Sequence, residues 1–98
     1  MEEISLTMLT EIYSKQYLRD LRRMIKRGKR LQKLFDVINL LKTGEPLPPQ
    51  YRDHPLNGEW EGYRDCHIEP DWILIYKIDL GQLILALTRT GSHSDLRF

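Results

Sequence analysis

Apolar positions change period midway along the chain, from a helical repeat to a strand repeat. In the first half, Leu18, Leu21 and Ile25 recur at helical spacing, with Tyr17 and Met24 widening the stripe. Ser14 offers an N-cap hydroxyl and Gly28 a stop, so a first helix is expected between them. A second helix is expected from Lys29 to Thr43. Leu31, Leu34, Phe35, Ile38 and Leu41 mark its buried face, Val37 and Leu40 extend it, and Gly44 closes it. The short link between them predicts an antiparallel helical hairpin. Ahead of the hairpin, β-favouring residues across positions 7–13 predict a strand.

The second half reads as loop and then sheet. Pro46, Pro48, Pro49, Pro55 and Asn57-Gly58 predict a long loop, which in a small domain more often carries function than not. Positions 60–68 predict a strand that Glu69-Pro70-Asp71 breaks. Positions 72–78 form a nearly continuous apolar run, the pattern of a central strand buried on both faces. Asp79-Leu80-Gly81-Gln82 is a tight reversal, and positions 83–89 return as a further strand. The expected fold is one α+β domain over residues 1–98, of order β-α-α-β-β-β, with the helical hairpin packed on an antiparallel sheet.

Charge sharpens this picture. The net charge of +1 conceals a basic run of Lys15, Arg19, Arg22, Arg23, Lys26, Arg27, Lys29, Arg30 and Lys33, interrupted only by Asp20. A basic stripe on one helix is a footprint for a polyanion or an acidic partner, though a solvated face is the plainer reading. No apolar run is long enough to span a membrane, and the acidic Met1-Glu2-Glu3-Ile4 start does not resemble a secretory signal. Cys66 is alone and reads as a packing residue, so a cytoplasmic location is expected.

The candidate chemistry lies in three histidines, all in the second half. Strand parity puts Asp65 and His67 on one sheet face. His67 ends one strand and Asp71 begins the next. His93 follows the third strand, beyond Arg89, so a meander brings His67, Asp71, Arg89 and His93 to one rim, and the long loop can carry His54 over it. Imidazoles titrate near neutral pH and serve as proton donors and acceptors. A guanidinium matches phosphate oxygens. Together they suit RNA cleavage, in which the 2′-hydroxyl attacks the adjacent phosphate. Arg52 and Arg64 are candidate phosphate contacts, while Trp60 and Trp72 read as packing residues first and base-stacking groups second. His and Asp are good metal ligands, yet no His-Glu-x-x-His or paired-Cys motif appears, and neither a metal nor another cofactor is expected.

Three segments carry a family resemblance. Tyr51-Arg52-Asp53-His54-Pro55-Leu56, the stretch from Trp60 to Tyr76 with His67-Ile68-Glu69-Pro70-Asp71-Trp72 at its centre, and Arg89-Thr90-Gly91-Ser92-His93 resemble the YafQ branch of the RelE-like toxins. The resemblance implies a RelE-like fold and the toxin half of a type II toxin–antitoxin module. Such a toxin would be a metal-independent mRNA endoribonuclease acting in the ribosomal A site. It implies active-site roles for His54, His67, Asp71, Arg89 and His93, with His93 as general acid, Asp71 or His67 as base or orienter, and His54 positioning the backbone. The implied partners are the ribosome, mRNA and an antitoxin with an acidic C-terminal segment and a ribbon-helix-helix part, through which any DNA is reached indirectly. On this reading Lys15, Arg19, Arg22, Arg23, Lys26 and Arg27 bind RNA phosphates. The alternative is a non-catalytic binding module of the same fold. One departure stands out: the family's aromatic four residues after the last histidine falls on Arg97, with Phe98 one position later, a rotation of about 100° on a helix.

Overall fold

The computed structural model describes residues 8–97. Its elements are β1 (Thr10–Tyr13), α1 (Lys15–Lys26), α2 (Leu31–Lys42), β2 (His54–Pro55), β3 (Arg64–Glu69), β4 (Trp72–Asp79), β5 (Ile84–Gly91) and α3 (His93–Leu96). The α+β class and the element order agree with the sequence reading. Three features add to it. A two-residue strand forms at His54, a terminal turn forms at His93, and the sheet, in order β1-β5-β4-β3-β2, is mixed because β1 runs parallel to β5. The meander β3-β4-β5 is antiparallel as expected. A four-residue strand carries no record of its partner's direction, so the parallel pairing was not legible in the sequence. The strand expected from position 60 starts only at Arg64. Gly58–Trp60 forms a 3-10 turn and Gly62 adopts φ +91°, a left-handed conformation that glycine accommodates.

The sheet has two unlike faces. Trp72, Leu74, Tyr76, Leu85, Leu87, Cys66 and Ile68 pack with Tyr17 and Met24 of α1 and with Leu34, Val37, Ile38 and Leu41 of α2. Burial pushes the Cys66 thiol well above its ordinary range, which suits a packing residue and not a nucleophile. The opposite face carries a small second cluster of Ile73, Ile75 and Leu96, flanked by Leu56, Trp60 and Tyr63. Bulges in β3 between His67 and Glu69, and between β4 and β5 beside Ile75 and Tyr76, adjust which side chains reach each face.

The first helix is rotated from the expected stripe. Leu18 and Ile25 are exposed, while Tyr17, Met24 and the charged Asp20 are buried. Phe35 and Leu40 of α2 are likewise exposed. Asp20 explains the rotation in α1. β1 stops pairing at Tyr13↔Leu87, so the outer edge of β5 beyond Leu87 has no strand beside it. There α1 takes over. Ser14 Oγ donates to the Thr88 carbonyl at 2.8 Å and accepts from Tyr17 N at 2.8 Å. Asp20 Oδ2 accepts from Thr90 N at 3.1 Å and from Arg89 Nε at 2.7 Å, and Oδ1 accepts from Arg89 Nη2 at 3.2 Å and Gln16 Nε2 at 3.0 Å. On the core side of the same residue, Trp72 Nε1 donates to Thr90 Oγ1, which in turn donates to the Ile73 carbonyl.

Removing the carboxylate would leave Arg89 and the Thr90 amide without their acceptor. Asp20→Ala is expected to cost about 3 kcal/mol, the scale of breaking a buried ion pair. Urea unfolding checks it, with a lowered midpoint at an unchanged slope; an unshifted midpoint would show that the carboxylate is dispensable.

Candidate active site

The helix-free face is where strand register gathers the candidate residues. His54 lies opposite Asp65, Asp65 opposite Ile75 and Ile75 opposite Arg89, one row across four strands. His67 lies opposite Ile73, and Ile73 opposite Gly91, which leads into His93. The rings of His67 and His93 approach edge to face, with centroids 5.5 Å apart.

His93 is held by one carboxylate at two points. Asp71 Oδ1 accepts from its backbone N at 2.8 Å and lies 2.5 Å from Nδ1. The bond to the His93 amide and then the ring contact hold the exposed Asp71 carboxyl below its usual value. With an ionised carboxylate as acceptor, Nδ1 carries the hydrogen, and Nε2 is left to exchange a proton with a ligand. His93 is also the first residue of α3, whose capping box is closed by Ser92 and Asp95.

His54 sits over a carboxylate that the sequence reading placed on this face but gave no role. Asp65 is buried, and His54 Nδ1 lies 3.0 Å from its Oδ1. That nitrogen is aligned instead with the Arg52 carbonyl at 2.9 Å, which leaves Oδ1 buried without a hydrogen-bond partner. Burial raises the Asp65 carboxyl above its usual range, opposed in turn by His54 and His67. The signal for Asp65 was its strand parity with His67. Beside His67, a cleft of about 360 Å³ is lined by Gln50, Tyr51, Arg52, Ile68, Glu69 and Pro70.

Several expected contacts are placed differently. Trp72 is completely buried, with its indole nitrogen committed to Thr90, so it is a core residue and offers no face for a base. Arg89 shares the row with Asp65, and two of its guanidinium nitrogens, Nε and Nη2, are engaged by Asp20. Arg64 donates Nε to Asp53 Oδ1 at 2.7 Å, and Tyr76 donates its hydroxyl to Oδ2 of the same carboxylate. Arg27 and Arg23 turn to Asp95, Arg27 at 2.6 Å and Arg23 at 3.6 Å. Lys15, Arg19, Arg22 and Lys26 are exposed along α1, with no acidic partner within salt-bridge distance among the described residues. Phe98 lies outside the described residues. No three His, Cys, Asp or Glu side chains among those residues are grouped to hold a metal ion. No described helix is long and apolar enough to cross a membrane.

This combination defines a small α+β protein with a candidate site of imidazoles and carboxylates on the helix-free face of its sheet. The profile of the family described as "Bacterial toxin of type II toxin-antitoxin system, YafQ" matches residues 9–98, and the chain belongs to that family. It is 51% identical over 85 residues to the mRNA interferase toxin YafQ of Escherichia coli K12, covering 86% of this chain and 90% of the relative. The crystal structure of the E. coli DinJ-YafQ toxin-antitoxin complex superposes with a TM-score of 0.82 at 47% identity, covering 91% of this chain and 97% of that one. A metal-bound toxin from Helicobacter pylori superposes with a TM-score of 0.85 at 44% identity, covering 91% and 99%.

The site's carboxylates give it a pH signature. Asp95 lies well below the usual carboxylate range, held there by its hydrogen bonds to Arg27 and, next, to Ser92, against its partial burial. A folded pKa below the unfolded one stabilises the protein above the ordinary carboxylate value, and the gain is lost as pH falls toward the folded one. Melting temperature is therefore expected to fall with pH below about 4. Asp95→Asn should lower it at neutral pH and flatten the acid limb; an acid limb as steep as wild type would assign the effect to other carboxylates.

Proposed function

We propose that the chain is a ribosome-dependent, metal-independent mRNA endoribonuclease, the toxin of a type II toxin–antitoxin module, that works by acid–base catalysis. The observation that carries this reading is His93, fixed by Asp71 in one tautomer beside His67. The mRNA interferase class follows from the family and its curated relatives.

In the proposed reaction, His67 takes the proton of the 2′-hydroxyl as its oxygen attacks the adjacent phosphorus. The bond to the 5′ oxygen breaks, and His93 Nε2 delivers a proton to that leaving oxygen, giving a 2′,3′-cyclic phosphate and a free 5′-hydroxyl. Asp71 orients His93 and stabilises its protonated form. His54 positions the RNA backbone, and Asp65 places a carboxylate beneath His54 and on the sheet face of His67. Arg52 and the cleft beside His67 hold the flanking nucleotide. The acid–base pair supplies both proton transfers, so no step requires a metal.

Ribosomal RNA phosphates meet the α1 stripe of Lys15, Arg19, Arg22 and Lys26, which repeats at helical spacing. The same positive surface suits the acidic C-terminal segment of an antitoxin whose ribbon-helix-helix part contacts DNA. An antitoxin partner is supported by the E. coli neighbour, solved in complex with DinJ. A protein that acts on translating ribosomes works in the cytoplasm.

Expression without antitoxin should arrest growth and cut message within the reading frame. His93→Ala should lower cleavage by about 10²–10⁴-fold, the usual share of a general acid, with the fold intact because this half-exposed imidazole lies outside both apolar clusters. A folded His93→Ala protein of full activity would reject the assignment, and wild-type binding to ribosomes without any cut would favour the binding-module alternative. Cleavage should persist in excess chelator; inhibition that added metal reverses would overturn metal independence. Arg19→Gln with Arg22→Gln should weaken ribosome binding and reduce its salt slope by about 0.7–0.9 for each phosphate no longer neutralised. An unchanged slope would place the ribosome-binding surface elsewhere.

A further inference from the structure

The terminal turn that presents His93 is too short to hold its own place. It is four residues long, and an isolated helical turn is unfavourable because several backbone dihedrals are fixed for few hydrogen bonds. Two carboxylates compensate. Asp71 takes the His93 amide and ring from below the turn's first residue. Asp95 closes the turn on itself, accepting from Ser92 N at 2.9 Å while its own amide donates to Ser92 Oγ at 3.0 Å. Gly91 makes room for that fold-back: a Cβ at this position would lie 2.9 Å from both Cβ and Oδ2 of Asp95.

Asp95 is in turn gripped from the first helix. Arg27, the C-cap residue of α1, donates Nη1 to Asp95 Oδ2 at 2.6 Å and Nη2 to Oδ1 at 2.8 Å. This two-pronged pair fixes orientation as well as distance, which a single ammonium would not. Arg27 is 68 residues from Asp95 in sequence, so the pair ties the catalytic turn to a distant helix.

We infer that Arg27 is a positioning residue for His93, acting through Asp95, and not a contact to RNA phosphate. The inference deepens the cleavage reading above and rests on it for its kinetic arm. A shift of about 1 Å at a catalytic group can cost some 10²-fold in rate. Arg27→Gln removes the two-pronged bond, leaving Asp95 only the longer 3.6 Å contact from Arg23, and keeps the RNA-facing stripe in place.

The test measures cleavage of message on programmed ribosomes, with backbone ¹⁵N order parameters on the free protein. Arg27→Gln should lower kcat by about 10–100-fold with KM unchanged. Arg27→Lys keeps the charge but loses the fork, and should recover part of the rate. Arg22→Gln, on the exposed stripe, should do the opposite, raising KM and keeping kcat. In Arg27→Gln the His93 amide order parameter should fall from the rigid value of about 0.85 toward 0.6 or below. A raised KM at wild-type kcat, or an unchanged order parameter at His93, would overturn the inference. If the wild-type chain cleaves nothing, the cleavage reading fails, and the order parameter still decides whether Arg27 holds the turn.

Discussion

A buried carboxylate on the first helix, Asp20, closes the stretch of the β5 edge that β1 leaves unpaired. β1 ends at Tyr13, opposite Leu87, short of the level where β5 must remain straight to deliver His93. An unpaired strand edge there would leave the Thr90 amide without a partner, a costly state for a buried donor. Asp20 accepts from that amide and from the neighbouring guanidinium, so helix and strand are joined by a charge-assisted network where a longer β1 would otherwise be needed. Arg89 compensates for taking this carboxylate out of water, because it is close enough to neutralise it.

The site follows from what that closure leaves on the opposite face. Side chains alternate along a strand, so the residues of β3 and β4 that do not feed the helix core point to the other side. One side receives Cys66, Trp72, Leu74 and Tyr76; the other receives Asp65, His67, Ile73 and Ile75. Only a small apolar cluster lies on the second side, which keeps its imidazoles accessible to a ligand. Carboxylates then differentiate the histidines. Exposed Asp71 binds His93 directly and stays ionised, whereas buried Asp65 lies under His54 with its proton held more firmly.

The basic residues divide in the same manner. Counted along the sequence they form one run, but in space, apart from exposed Arg30 at the start of α2, they fall into two groups. Arg23 and Arg27 face Asp95, and Lys29 and Lys33 both reach Glu69 at 2.7–2.8 Å, anchoring the strand that ends after His67. Lys15, Arg19, Arg22 and Lys26 remain on the solvent side of α1. A polyanion would thus meet the second group, while the first group braces the two ends of the site from behind.

The sequence by itself determined the helical hairpin, the meander and the set of candidate histidines and carboxylates, because hydrophobic period, turn formers and histidine placement are local properties. It also placed His67, Asp71 and His93 on one rim, since a tight meander leaves few other positions for strand ends. Only the tertiary structure decided the direction of β1, the rotation of α1 about Asp20 and the burial of Trp72. Tertiary packing likewise decided which arginines stay in solvent and which face Asp20, Asp53 or Asp95. Those outcomes depend on pairs far apart in the chain, such as Asp20 with Arg89 and Arg27 with Asp95. A charge pattern reports what a residue carries, and only the folded neighbours report whether that charge is already satisfied.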